Sequence, residues 1–350
     1  MLPIPSPLPP MEALSVPELP VMGAWQYEPK WDGFRCLSYR DGESVKMWSK
    51  SGQDLTRYFP EVAALLRAVR AEKFVIDGEL IVPYGQSSSF EQLLMRIHPA
   101  ESRVLRLSNE HPAMMVVFDL LVDERGRDLT GLVLRERRAA LEKFAARYLT
   151  DARLPLSPAT LEARAAQAWL KGATGIDGVI AKRLDMSYQS GERTGMQKIK
   201  RLQSADCVVG GFRFAEKSTP ERPEVGSLLL GLYNAEGKLD HVGFTSSFEA
   251  AEKRRLAPLL MELVVPAGGG GGFTGNAPGG PSRWSSKRSM EWQALRPVLV
   301  CEVRYDHFSE GRFRHGTKFL RWRPDKAARQ CTFEQVTRPT RSSLALLRSA

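Results

Sequence analysis

The feature that most constrains this chain is a change of texture at about Leu202. Before it, long apolar segments alternate with stretches of helical periodicity. After it come short β-patterned runs parted by glycine and polar turns. In the first part, "KFVIDGELIV" reads as a strand and "AMMVVFDLLV" as a fully buried one, while Leu134, Leu141, Phe144, Ala145 and Tyr148 recur at helical spacing. Phe59 to Arg70 is helical in pattern, and a serine cap opens the helix of "SFEQLLMRI". Ser157-Pro158 is expected to start a further helix running to Leu170. Asp41-Gly42 predicts a hairpin between "FRCLSYR" and "SVKMWSK", and "GIDGVIAKR" and "MQKIKR" return to strand. Residues 1–24, with prolines at 3, 5, 7, 9, 10, 17 and 20, read as an extended arm without a fold of its own.

In the second part, "DCVVGGFRF", "SLLLGLYN", "LDHVGFTSS", "VLVCEVRYD" and "RFRHGTKFLRW" are five strand candidates, with one helix near 248–264. That order suits a small closed barrel of the OB type. The stretch "GGGGGF…GNAPGGPSRWS" reads as a flexible loop. The chain is therefore expected to be α+β, with domains at 25–202 and 203–335, the arm at 1–24 and a tail at 336–350.

Residues two apart on a strand face the same side. Lys30 and Asp32, Asp77 and Glu79, and Lys198 and Lys200 are spaced this way, and Asp177 in "DGVIAK" adds an acid. A cleft holding several lysines and carboxylates suits a nucleoside triphosphate with a divalent metal, since hard carboxylate oxygens hold Mg²⁺ beside phosphates. Neighbouring cations would disfavour the charged form of Lys30 and so make it a nucleophile.

Six blocks then occur in order: "EPKWDGFR", "DGE" at 77–79, "FD" at 118–119, "DGVIAK", "KIK" at 198–200 and "RWRPDK". In these the chain resembles the covalent nucleotidyltransferases, and most closely the ATP-dependent DNA ligases of the compact bacterial ligase C type. The resemblance implies a nucleotidyltransferase (ATP-grasp-like ligase) domain of antiparallel sheets and helices, followed by an OB-fold β-barrel. It implies that Lys30 forms a lysyl-AMP, that the AMP passes to a DNA 5′-phosphate, and that the nick 3′-hydroxyl displaces it. Glu28 would sit at the adenine rim, Arg35 near the ribose or nick phosphate, and Phe118 against adenine. Glu79 would contact ribose or metal, Asp177 would bind metal, and Lys198 and Lys200 would hold the α-phosphate. Arg323, Asp325 and Lys326 would orient pyrophosphate. Lys50 and Arg321 are expected to contact phosphate or DNA. The cofactors implied are ATP and Mg²⁺, with Mn²⁺ as an accepted substitute. Three positions depart from the pattern: Lys50 stands where an arginine is usual, Asp177 where glutamate is commoner, and Met196 where many members carry an aromatic residue.

The net charge of +10 favours a polyanionic partner. From Gly311 to Arg341 nine basic residues face two acidic ones, so most of the excess lies there. The expected partner is nicked duplex DNA, taken by a monomer. The four cysteines form no CxxC pair, and the histidines show no metal-ligand spacing. With no signal-peptide pattern and no long apolar run, a bacterial cytosolic protein, attached to the nucleoid through DNA, is expected, with no membrane partner. The alternatives are an RNA ligase or RNA-capping guanylyltransferase of the same superfamily, or a non-catalytic OB-fold nucleic-acid binder.

Overall fold

In a computed structural model of the chain the described residues are 1–85, 87–172, 176–201, 203–266, 271–279, 291–336 and 343–348. They divide into two compact units, Met1–Arg201 with Thr340–Ala350, and Leu202–Pro339.

In chain order the first unit contains β1 (Leu14–Ser15), β2 (Trp25–Trp31), β3 (Phe34–Asp41), β4 (Ser44–Ser49), α1 (Pro60–Ala68), β5 (Lys73–Ile81) and a two-residue hairpin, β6 (Pro83–Tyr84) and β7 (Ser87–Ser88). It continues with α2 (Phe90–Arg96), α3 (Glu101–Glu110), β8 (Met114–Val122), α4 (Leu134–Tyr148), α5 (Ala163–Gly172), β9 (Ile176–Arg183) and β10 (Met196–Lys200). Two four-stranded sheets result, ordered β1-β10-β9-β2 and β4-β3-β5-β8. The hairpin expected at Asp41-Gly42 joins β3 to β4, with Gly42 at φ +61°. Ser89 caps α2 by accepting the Gln92 N–H.

The second sheet packs on α1 and α4, whose Val62, Leu66, Leu141 and Phe144 join Phe59, Phe74 and Ile76 in one apolar cluster. The first sheet packs on α5, where Ala166 meets Trp25, Tyr27 and Val179. Deep in this unit Arg137 of α4 donates to both carboxylate oxygens of Asp119 on β8, at 2.9 and 3.0 Å.

Ser157-Pro158 does not start a helix. Ser157 donates its N–H to Val117 of β8, and Thr160 pairs with Tyr27 of β2, so this segment satisfies backbone groups on the edges of both sheets. The helix begins instead at Ala163, and α3 is an element the periodicity did not reveal.

The arm is extended, but it belongs to the first unit. Ile4 and Met11 are buried in a cluster with Leu37, Tyr39 and Tyr188. The Tyr39 hydroxyl accepts from Leu8 N–H and donates to the Pro5 carbonyl, and the Tyr188 hydroxyl accepts from Met11 N–H. Long-range bonds to two tyrosines thus hold a segment that proline excludes from helix. Of the expected tail, residues 343–348 also join this unit: Leu344, Leu346 and Leu347 pack on Trp31, Ile81, Val116 and Ile176.

The second unit contains β11 (Gln203–Phe214), β12 (Val225–Tyr233), β13 (Leu239–Thr245), α6 (Ala250–Met261), β14 (Gln293–Ala294), β15 (Val300–Tyr305), β16 (Phe308–Ser309), β17 (Arg312–Phe313) and β18 (Lys318–Trp322). Its main sheet runs β13-β12-β11-β15-β18, with β14 on β11. This path is open, so the expected closed barrel is not what the ladder shows. Four of the five residues of β18 pair with β15, Leu320 falling at a slip in register, and Thr317, just before β18, bridges Thr245 of β13. "RFRHGTKFLRW" splits into β17 and β18 rather than forming one strand. Within the glycine-rich stretch Phe273 is buried in this unit's core, while 267–270 and 280–290 lie outside the described residues. All four cysteines are buried, with no disulfide.

Candidate active site

A cavity of about 260 Å³ opens in the first unit between strands of its two sheets. Glu28 and Lys30 come from β2, Lys182 from β9, and Met196 and Lys198 from β10. Arg35 of β3, Glu79 of β5 and Phe118 of β8 face them, with Lys50 and the arm residues Pro10 to Ala13 at the rim. Of the residues singled out from the sequence, this cavity gathers Glu28, Lys30, Arg35, Lys50, Glu79, Phe118 and Lys198. Lys200 lies two residues beyond Lys198 on the same strand and does not line it.

Two local features place Lys30. The β2–β9 ladder slips between Lys30 and Trp31, so Asp177 is the extra residue of a bulge opposite the lysine. Asp177 then reaches the amine, Oδ2 accepting from Nζ at 2.7 Å. Gly178, the residue paired with Lys30, lets β10 approach: a Cβ there would collide with the Ile199 carbonyl oxygen. The group hydrogen-bonded to the Lys30 amine is a carboxylate, which favours its charged form, while the expected neighbouring cation Lys198 lines the same cavity. Asp32 does not share a strand face with Lys30, because β2 ends at Trp31.

Cations do crowd Lys198. Burial lowers its pKa first, and Lys30, Lys50, Lys200 and Arg193 lower it further. Glu79 is pushed up to about 8, chiefly by burial, against the pull of Lys30 and Arg35 and with the push of Asp77 and Asp32. Arg35, expected near ribose or a nick phosphate, is held by Asp77 in a two-pronged pair at 2.5 and 2.6 Å. Burial opposes its charge, and Asp77 more than offsets this. Tyr188 donates to the same carboxylate at 2.6 Å, so the pair is anchored to the arm through Met11. Asp77 is thus a buried anchor, while Glu79 faces the cavity. Phe118 is 7% exposed, and its ring lies within cation–π reach of Arg35 at 4.6 Å and Lys182 at 4.5 Å.

The donor set also bears on metal. Asp177 and Asp32 bring carboxylate oxygens, the hard donor type that suits Mg²⁺ or Mn²⁺, within 4.8 Å of one another, while Glu79 lines the cavity and Asp177 does not.

In the second unit Arg323 and Lys326 converge on one carboxylate. Asp206 accepts from Arg323 Nη1 at 2.9 and 3.1 Å and from Lys326 Nζ at 2.7 Å. Asp325 takes the other edge of the guanidinium and is pulled down to about 2 by that contact. Arg321 is exposed and donates to Glu302 across the β15–β18 pair.

The family described as ATP dependent DNA ligase domain matches residues 16–200, and its C-terminal region matches 221–326. The chain belongs to the ATP-dependent DNA ligases. It is 42% identical over 359 residues to DNA ligase C of Mycobacterium tuberculosis and to DNA ligase C2 of Mycolicibacterium smegmatis, with 98% of each chain covered in both cases. It is 31% identical to the multifunctional non-homologous end joining protein LigD of Pseudomonas aeruginosa, covering 94% of this chain and 37% of that one. A solved Lig E DNA ligase shares the fold, with TM-score 0.52 at 16% identity over 89% of this chain and 100% of that one. ATP is the nucleotide of this ligase family, and among the described residues no helix is long and apolar enough to cross a membrane.

Three cavity residues of this ligase escaped the sequence reading. Lys182 closes the "DGVIAK" block and pairs in register with Gln26, a contact visible only once β9 is laid against β2. Met11 and Glu12 lie in the proline-rich arm, where no periodicity points to a site. Glu12 forms ion pairs with Lys50 at 3.1 Å and Arg193 at 2.9 Å.

Proposed function

We propose that this ligase seals 5′-phosphate/3′-hydroxyl nicks in duplex DNA through a lysyl-AMP and a DNA-adenylate, in DNA repair. The observation that carries this is Lys30: its amine stands at the wall of a cavity lined by Glu28, Glu79 and Lys198, and Asp177 holds it there at 2.7 Å. In the first step the Lys30 nitrogen bonds to the α-phosphorus of ATP, the bond to the bridging oxygen breaks, and pyrophosphate leaves. The proton lost by the amine has the Asp177 carboxylate at hydrogen-bond distance. In the second step a DNA 5′-phosphate oxygen replaces the lysine nitrogen on phosphorus. In the third the 3′-hydroxyl attacks the DNA phosphate, and AMP leaves.

Lys198 and Lys200 are assigned to the α-phosphate, Phe118 and Glu28 to adenine, and Arg35 to ribose or the nick. Glu79 and Asp177 would hold Mg²⁺ or Mn²⁺, which when bound screens phosphate charge. Arg323, Asp325 and Lys326 are assigned to pyrophosphate, and Lys50 and Arg321 to DNA. The second unit is read as an OB barrel closed at the Thr245–Thr317 bridge, and the partner as nicked duplex taken by one copy of the chain.

The test is incubation with α-³²P-ATP and Mg²⁺ without DNA, followed by a denaturing gel, for the wild type and Lys30→Ala. A labelled band lost in the variant is expected, with transfer of the label to a nicked all-DNA duplex on its addition. Label in Lys30→Ala would overturn the assignment of the nucleophile. Transfer confined to RNA-containing nicks would make the protein an RNA ligase.

A further inference from the structure

The proline-rich arm is itself a wall of the cavity, since residues 10–13 line it together with Lys30. Residues 188–192 hold that stretch along its backbone. Ser190 Oγ donates to the Pro9 carbonyl at 2.7 Å, Gly191 N–H to the Pro10 carbonyl at 3.3 Å, and the Glu192 carbonyl accepts from Glu12 N–H at 2.8 Å. Tyr188 adds a link of another kind, because its buried hydroxyl is engaged on two sides. It accepts from Met11 N–H at 3.1 Å and donates to Asp77 Oδ2 at 2.6 Å. Asp77 is fully buried and grips the guanidinium of Arg35, which lies 4.6 Å from the centre of the Phe118 ring. Met11, Arg35 and Phe118 line the cavity, whereas Tyr188 and Asp77 stand behind it.

We propose that Tyr188 is a positioning residue for nucleotide binding, one hydroxyl setting both the arm wall of the cavity and the wall made by Arg35 and Phe118. This rests on the reading of the cavity as a nucleotide site. A phenol has one proton to give and lone pairs to accept with, so it can serve an amide and a carboxylate at once. Its bond to Asp77 is charge-assisted, and giving that proton makes the oxygen a better acceptor for Met11 N–H. The two walls are therefore not independent. When the arm lifts, Tyr188 loses one partner, and the Asp77 carboxylate that orients Arg35 loses the constraint on its own support. A nucleotide that fills the cavity touches both walls and so favours the seated arm. By linkage, the seated arm tightens the nucleotide by the same factor. The arm suits such coupling, because a proline-rich segment without helix or long strand pairing opens locally at little cost.

The test measures kcat and KM separately for label transfer to Lys30 from α-³²P-ATP, in the full-length wild type, Tyr188→Phe and Tyr39→Phe. Tyr188→Phe keeps the ring and removes both bonds. Its KM for ATP should rise about 5- to 20-fold, with kcat held within about twofold. A merely structural lesion would lower the active fraction, and with it kcat, while KM stayed in place. Tyr39→Phe loosens the arm at Leu8 and Pro5 and leaves the bond between Tyr188 and Asp77 intact. It should raise KM about two- to fivefold. Hydrogen exchange gives the reciprocal readout. Saturating α,β-methylene-ATP, which cannot transfer its AMP, should slow exchange across residues 8–13 about threefold or more in the wild type, and less in Tyr188→Phe. Should Tyr188→Phe fail to fold, the KM of Tyr39→Phe and the wild-type exchange decide. A KM within twofold of wild type in every variant that folds, or arm exchange indifferent to the analogue, overturns the proposal and leaves Tyr188 as a fold contact. Absence of label from ATP in the wild type is a different result, which overturns the nucleotide reading and the proposal with it.

Discussion

Glu79 carries a pH signature that can be measured without substrate. It lies on β5 opposite Arg35, faces the cavity, and titrates at about 8 where an ordinary glutamate titrates at 4.5. Burial is the main cause, reinforced by Asp77 and Asp32 and opposed by Lys30 and Arg35. The folded state therefore keeps a proton that the unfolded chain releases. Stability from this group is complete below pH 4.5 and is lost as pH rises through 8. Each pH step inside that window removes about 1.4 kcal/mol, so roughly 5 kcal/mol is the ceiling. Glu79 retains some solvent contact and opposite charges close by, and we expect about 2–3 kcal/mol. Glu79→Gln keeps the shape of the protonated acid and removes the titration. Urea unfolding of the nucleotide-free protein, followed by tryptophan fluorescence at pH about 5, 7 and 9, should show the wild type losing ground against the variant across that range. A stability difference that stays constant with pH would refute the reasoning, since only a perturbed titration makes the two curves diverge.

Arg137→Met would strand Asp119 at 4% exposure and should lower the unfolding free energy by about 3–5 kcal/mol. Adding Asp119→Leu should recover most of that loss in urea midpoint, because the buried charge is then gone. Glu12→Gln frees Lys50 and Arg193 at the cavity rim, and should tighten binding of a nicked duplex about two- to fivefold at low salt. Fluorescence anisotropy checks this, and unchanged or weaker binding would show that Lys50 does not reach DNA.

The local elements were legible where a short-range rule fixes them. Ser89 caps α2 with its own side chain, Gly42 supplies the positive φ of the β3–β4 turn, and the apolar run of β8 needs burial wherever the rest of the chain goes. The division near Leu202 was legible too, because a change in strand length and glycine spacing is a property of the chain itself. Spacing on strands named Lys30, Glu79 and Lys198 of the cavity, whereas Glu28, Arg35, Lys50 and Phe118 were reached only through the resemblance to the family.

What the tertiary structure alone decided are contacts made over long sequence separations. Asp177 meets Lys30 through a bulge, a slip in pairing that no single strand encodes. Arg35 is bound to Asp77, and Asp77 to Tyr188, so a residue that reads as a free cation is an anchored one. Ser157 and Thr160 give up the helix that Ser-Pro favours, because two sheet edges need their backbone groups more. The proline arm has no periodicity to read, yet Tyr39 and Tyr188 fix it, and Glu12 comes to rest on Lys50. Local propensity reports what a segment can form by itself, whereas hydrogen bonds and charges buried between distant segments depend on which partner the fold brings within about 3 Å.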